Sequence, residues 1–185
     1  MKRSEKIVDN LGITDPAVKQ NVLYILANRY FKLNDIYEVR DQKVKYAEAV
    51  LTGASKQAAI EAAELEKDAT LYRCHFEFPA SLSLYINDKQ IDAIKDGMTY
   101  NSLQVQYESL VDMVPSLTEE EKKQIYAWYK EAREFSMDAE NSDKKHAAFN
   151  KYKGRINNYL TKRGYDLVKE RNEWYKRLKA AGKKI

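Results

Sequence analysis

Breakers of regular structure are scarce in this chain, and they sit where helices should begin or end. Its 185 residues include 6 glycines and 3 prolines, and no stretch alternates apolar and polar residues long enough to specify a strand. Asn10-Leu11-Gly12 reads as a helix end. Thr14-Asp15-Pro16 reads as the next start, with Ile13 and Val18 placed as a hydrophobic staple. The three- and four-residue spacing of Val22, Ile25, Leu26, Leu33, Ile36, Tyr37, Val44 and Ala47 predicts a long helix from Asp15 to about Leu51. Gly53 breaks it. Ser55 to about Phe78, rich in alanine and glutamate, predicts a second long helix, stopped by Pro79 because the residue before a proline avoids the α region.

The same entry signals recur downstream. Asn87 followed by Gln90, with Ile86 and Ile91 as a staple pair, predicts a short helix ended by Gly97. Leu117-Thr118-Glu119-Glu120-Glu121 is a capping box with three acids at the positive end of a helix dipole. The helix it opens runs to about Glu140 and is expected to bury Ile125, Trp128, Tyr129, Ala132, Phe135 and Ala139. Ser142 caps another helix that reaches Arg163 and ends at Gly164, and Asp166 starts a last one that stops before Gly182. The expectation is an all-α fold, a single-domain bundle over residues 1–185 with seven or eight helices, two of them long and N-terminal.

Composition narrows the setting. No run approaches the roughly 18 apolar residues of a membrane span, and the mean hydropathy is −0.70. Met1 to Asn10 has the basic start of a secretory signal without its apolar run. The residues themselves therefore fit either a cytoplasmic protein or an exported one whose signal has been removed. A lone cysteine, Cys74, rules out an intramolecular disulfide and leaves the compartment open.

Charge is unevenly divided. From Ser142 to Ile185 there are 14 Lys and Arg against 4 Asp and Glu, a net of +10, which leaves −6 on the preceding 141 residues. The plain explanation is packing of the basic C-terminal helices beside the acidic helix of Glu131, Glu134, Asp138 and Glu140. The sharper one is an anionic partner. Nucleic acid is not expected, since no helix-turn-helix spacing or short recognition helix is present. Arg29 and Arg40 lie beside the apolar stripe of the first long helix and need acceptors. Asp35, Asp41, Glu131, Glu134 and Asp138 are the candidates.

Lys144 to Leu167 is the most suggestive segment. It interleaves His146, Lys153, Arg155, Asn157 and Asn158 with Phe149, Tyr152, Tyr159 and Tyr165. Glycine and asparagine are poor helix formers, so Gly154, Asn157 and Asn158 in mid-helix point to a contact, internal or with a ligand. Catalysis has less support. Glu131, Glu134 and Asp138 share one helical face, whereas glycosidases place two carboxyl groups about 5 to 9.5 Å apart across a sugar, usually from separate elements. His75 and His146 lack ligand-spaced partners for a metal, and no phosphate loop, dinucleotide glycine fingerprint or serine elbow is present. No catalytic residue, metal or cofactor is assigned.

Several blocks carry a family likeness: Ala27-Asn28-Arg29-Tyr30-Phe31 with Leu33-Asn34-Asp35-Ile36, Lys95-Asp96-Gly97-Met98-Thr99-Tyr100 and Val114-Pro115-Ser116-Leu117-Thr118. Denser ones follow: Glu131-Ala132-Arg133-Glu134, Met137-Asp138-Ala139, Lys145-His146-Ala147, Lys151-Tyr152-Lys153-Gly154-Arg155-Ile156-Asn157-Asn158-Tyr159-Leu160 and Gly164-Tyr165-Asp166-Leu167. Across nearly the whole chain these resemble an uncharacterised family of secreted bacterial proteins. That family is a domain of unknown function described as sugar-binding and found with polysaccharide-degrading systems. The resemblance implies export to the periplasm or surface with the signal peptide removed, an all-helical fold and a glycan ligand, and it supplies no catalytic residues.

The leading expectation is a non-catalytic carbohydrate-binding protein of a polysaccharide-utilisation system. Its site would lie between the helix of Glu131 to Asp138 and that of His146 to Tyr159. Trp128 or Tyr159 would stack on a sugar ring, Glu131 and Glu134 would accept hydroxyl bonds, and Arg155 and Asn158 would donate them, with His146 nearby and Arg155 favouring an acidic sugar. Two alternatives stand beside it. One is a structural or interaction module with an internal ion-pair network. The other is a glycan-active hydrolase using Glu131 or Asp138 with His146.

Overall fold

The computed structural model describes residues 2–182, and among them every regular element is an α-helix. Nine occur: α1 (Lys2–Asp9), α2 (Pro16–Val50), α3 (Gly53–His75), α4 (Glu77–Leu82), α5 (Asp88–Met98), α6 (Ser102–Met113), α7 (Glu119–Met137), α8 (Ser142–Lys162) and α9 (Leu167–Ala180). The all-α expectation holds, with both long N-terminal helices in place. The chain divides into two compact units, one up to Ile94 and one from Lys95 onward.

In the first unit, the Asp15 side chain accepts from the backbone N–H groups of Ala17 and Val18 at 2.8 and 3.2 Å and opens α2, with Pro16 at its first position. Gly12 holds the preceding turn at φ +66°, where a Cβ would strain the backbone. A two-residue connection folds α3 back along α2 as a helical hairpin. Small residues permit the approach: Ala47 and Ala63 are buried, and Val22, Leu26 and Leu33 continue the seam with Phe78 and Leu82 of α4 and Val8 of α1.

Pro79 does not stop α3. That helix ends at His75, and Pro79 sits in the first turn of α4, where its missing N–H has no intrahelical partner to lose. Likewise α5 runs past Gly97 to Met98, and its turn into α6 is made by Tyr100 and Asn101, both in the left-handed region at φ 60° and 54°. The Asn87–Gln90 box is present: the Asn87 side chain accepts from Gln90 N–H at 3.0 Å and the Gln90 side chain accepts from Asn87 N–H at 3.2 Å.

The second unit is built around Leu103, Leu110, Val114, Leu117, Ile125, Tyr129, Ala132, Phe149, Tyr152, Ile156 and Leu160. Thr118 and Glu121 form the reciprocal capping box of α7. Asn141, one residue before the expected Ser142, caps α8 by accepting from Lys144 N–H at 3.0 Å. Tyr165 N–H to Leu160 C=O and Gly164 N–H to Thr161 C=O then close α8 in a Schellman motif, with Gly164 at φ +93°.

Glu121 links several of these elements. Besides closing the cap it accepts from the Tyr165 hydroxyl at 2.7 Å and faces Arg163. Burial pushes its carboxyl up, but the hydrogen bonds from Thr118 and Tyr165 and the Arg163 charge outweigh burial and hold it below the usual carboxylate range. A depressed native value means the native state binds fewer protons than the unfolded chain. The stabilisation is thus present above the unfolded value of about 4.5 and fades as pH falls through the native one. Urea midpoints of wild type and Glu121→Gln should therefore lie well apart at pH 7 and converge as the solution is acidified through the native value. A gap that stays constant with pH would refute this role.

Candidate functional site

Basic side chains in this fold do two different jobs, and the difference locates the candidate site. The last carbonyls of a helix have no partner within it, and at three helix ends without a terminal glycine a cation supplies one. Arg29, 4% exposed, donates to the Cys74 carbonyl at the end of α3 at 3.0 Å and lies over the Phe78 ring. Lys145, 5% exposed, donates to the Ser136 and Met137 carbonyls ending α7 at 3.0 and 3.2 Å. Arg177 donates to the Asp112 and Met113 carbonyls ending α6 at 2.7 and 3.4 Å, beside a Trp174 indole N–H bonded to the Asp112 carboxylate at 2.6 Å. Positive charge at a helix C-terminus also meets the negative end of its dipole.

Arg29 thus has a backbone carbonyl at the end of α3 as one of its acceptors. Arg40 does pair with Asp41 at 2.7 Å and also meets Glu64 of α3 at 2.9 Å. A further buried cation, Arg133, carried no sequence-level assignment. It is 2% exposed and pairs with Asp96 at 2.9 Å and Glu134 at 3.5 Å, while Lys95 meets Glu134 at 2.8 Å. Each of these cations is held by a carbonyl or a carboxylate of the protein.

The cations of the α7–α8 groove are arranged differently. Trp128, Glu131 and Phe135 of α7 face Lys144, Lys151, Arg155 and Lys162 of α8 across a groove of about 1190 Å³, with Tyr152, Asn158 and Tyr159 completing its wall. Lys144, Lys151, Arg155 and Lys162 follow one another at intervals of seven, four and seven, which aligns them on one helical face. Among the described residues the three lysines form no ion pair. Arg155 reaches Glu131 at 3.4 Å, an exposed and loose pair, and lies over the Trp128 ring at 4.8 Å. Burial, with the neighbouring Glu131 carboxylate adding to it, pushes the Tyr152 phenol up to about 12.

Five of the seven expected site residues therefore share this groove: Trp128, Glu131, Arg155, Asn158 and Tyr159. Glu134 and His146 do not line it. Glu134 is held by Lys95 and Arg133. His146 stacks on the Tyr100 ring, with centroids 5.5 Å apart and planes 18° apart. Trp128 also departs from its expected role as an open platform, since Arg155 covers one face and the Tyr159 ring abuts it edge-on at 4.9 Å. The open ring is Phe135. Expected in the core, it is instead 63% exposed and stacks on Tyr152 at 6.3 Å.

Gly154 lines the same groove. Its backbone is not left-handed, and a Cβ built on it would meet nothing within 4 Å. Neither conformation nor internal packing requires glycine there, although glycine in a helix interior costs about 1 kcal/mol relative to alanine.

A family model described as "Protein of unknown function (DUF3826)" matches residues 1–180. The chain belongs to the DUF3826 family. No curated protein matches it. In this DUF3826 chain the match spans both units, so the α7–α8 groove and the α2–α3 hairpin both lie within the family's domain.

Proposed function

We propose that the α7–α8 groove of this DUF3826 protein binds an acidic carbohydrate without transforming it. One observation carries this reading: four cations, three of them without a partner carboxylate among the described residues, surround an aromatic recess whose lining includes a single acid, Glu131. Sugars present apolar ring faces and hydroxyls, and a uronic acid adds a carboxylate. Phe135 offers a ring face, Asn158 and Glu131 offer hydroxyl partners, and the lysines with Arg155 offer the counter-charge. A mid-helix glycine in the wall lets a ligand approach the backbone closely. Glycoside hydrolysis by paired carboxylates needs a second acid opposite Glu131, and the groove lining offers none. Export to the periplasm or surface, implied by the family resemblance, belongs to the same proposal.

Calorimetric titration with oligogalacturonides, neutral cello-oligosaccharides and single-stranded oligothymidylate tests it. The acidic sugar is expected to bind with a Kd on the order of 100 μM, at least about tenfold tighter than the neutral one, and to weaken with added salt. Arg155→Ala should cost about tenfold in affinity. Gly154→Leu should raise the thermal midpoint by about 2–3 °C through helix propensity while abolishing binding. Tighter binding of the oligonucleotide would make the groove a nucleic-acid site. No binding of any ligand at millimolar concentration would leave the structural reading, for which the buried Arg133 network is the supporting observation.

A further inference from the structure

The outward face of α3, with Phe76 one residue past its end, carries an apolar seam that no described residue of its own unit covers. Ala58, Ala62, Leu65, Ala69, Tyr72 and Phe76 are all exposed, Leu65 at 69%, Tyr72 at 70% and Phe76 at 60%. Their spacing is four, three, four, three, four, the heptad pattern of a helix pair. They lie opposite the buried Ala63 and Cys74, so the seam is not a continuation of the hairpin core. The outer face of α2 differs. Its exposed Tyr24, Phe31, Val39 and Tyr46 are interrupted by Asn28, Asp35 and Gln42.

We propose that α3 pairs antiparallel with α3 of a second copy, through this seam. Antiparallel pairing about a two-fold axis between Leu65 and Ala69 sets Leu65 against Ala69, Ala62 against Tyr72 and Ala58 against Phe76 of the other copy. Every large side chain then meets a small one, which is how two helices interdigitate without voids or overlap. A parallel pairing would set Tyr72 on Tyr72 and Ala62 on Ala62. The flanks tolerate the approach. Glu66 and Asp68 each meet their own counterpart near the axis, but Glu66 already pairs with Lys43, and Asp68 with Lys67 at 3.0 Å, so the central charges arrive neutralised. Glu61 falls opposite His75.

The seam runs for about 27 Å at 1.5 Å per residue. Two rings, a leucine and three alanines per copy bury roughly 1,000 Å² in total, near the lower bound of a specific interface. The dimer is therefore weak, with a Kd on the order of 10 μM.

Sedimentation equilibrium of the full chain from about 1 to 200 μM tests the proposal. A monomer–dimer equilibrium is expected, weakened at least about tenfold by Leu65→Lys together with Tyr72→Lys. Both residues are exposed, so unchanged far-ultraviolet circular dichroism confirms that this variant still folds. Under oxidation Glu66→Cys, next to the axis, should cross-link two copies, whereas Ala58→Cys, whose counterparts lie far apart, should not. Three results would overturn the proposal: a monomer at every concentration, a dimer unaffected by the double lysine variant, or cross-linking through Ala58→Cys in place of Glu66→Cys.

Discussion

Arg133→Ala is expected to destabilise the protein by about 3 kcal/mol and lower its thermal midpoint by roughly 6–12 °C. The guanidinium is 2% exposed and is bound by Asp96 at 2.9 Å and Glu134 at 3.5 Å. Removing one partner of a buried pair typically costs about 3–5 kcal/mol, because the remaining charge loses its counter-ion. Two features place Arg133 at the lower end. Asp96 and Glu134 keep 28% and 29% side-chain exposure, so water can solvate them, and Lys95 stays on Glu134 at 2.8 Å. Arg133→Met, which fills much of the space, should recover part of the loss. Combining it with Asp96→Asn should cost less than the two single changes added together. Urea denaturation of wild type, the three single variants and the double variant measures this. A loss below about 1 kcal/mol for Arg133→Ala would mean that the buried pair does not hold the unit together.

The next largest effect is expected at Lys145. Its ammonium is the hydrogen-bond donor for the Ser136 and Met137 carbonyls, and both residues are fully buried. Lys145→Met keeps the apolar stem and removes the donor, depriving the buried Met137 carbonyl at the end of α7 of its partner, while the Ser136 carbonyl keeps the Ala139 N–H at 3.2 Å. The cost should be about 2–3 kcal/mol, and hydrogen exchange should accelerate selectively in the last turn of α7 and the first of α8. Lys145→Arg should be milder, since it retains a donor at the price of crowding. Equal stability of Lys145→Met and wild type would show that water or another donor can serve the same carbonyls.

These two residues also show why part of the fold was legible in the sequence and part was not. Asp15, the Asn87–Gln90 and Thr118–Glu121 boxes, and Gly164 act on backbone within a few residues, so their signals can be read locally. The ends of α3, α6 and α7 are closed by Arg29, Arg177 and Lys145 from other helices, and no local signal marks them. Pro79 misled because a proline breaks a helix interior yet fits a first turn, and a second helix begins just before it. The groove was legible in outline. Trp128, Glu131, Arg155, Asn158 and Tyr159 share it, and the intervals between Lys144, Lys151, Arg155 and Lys162 were available as a signal for its charge. Phe135 was not, because an aromatic at helical spacing reads as core, and its exposure depends on which face α8 covers. Glu134 and His146 share helices with the groove residues but face other partners, Lys95 and Tyr100.

The most direct measurement is amide chemical-shift mapping during titration with an oligogalacturonide. Saturable shifts confined to the facing residues of α7 and α8, from about 128 to 135 and from 144 to 162, and lost in Gly154→Leu, are expected if the groove is the site. Shifts that do not saturate, that cluster on another surface, or that survive in Gly154→Leu would contradict it.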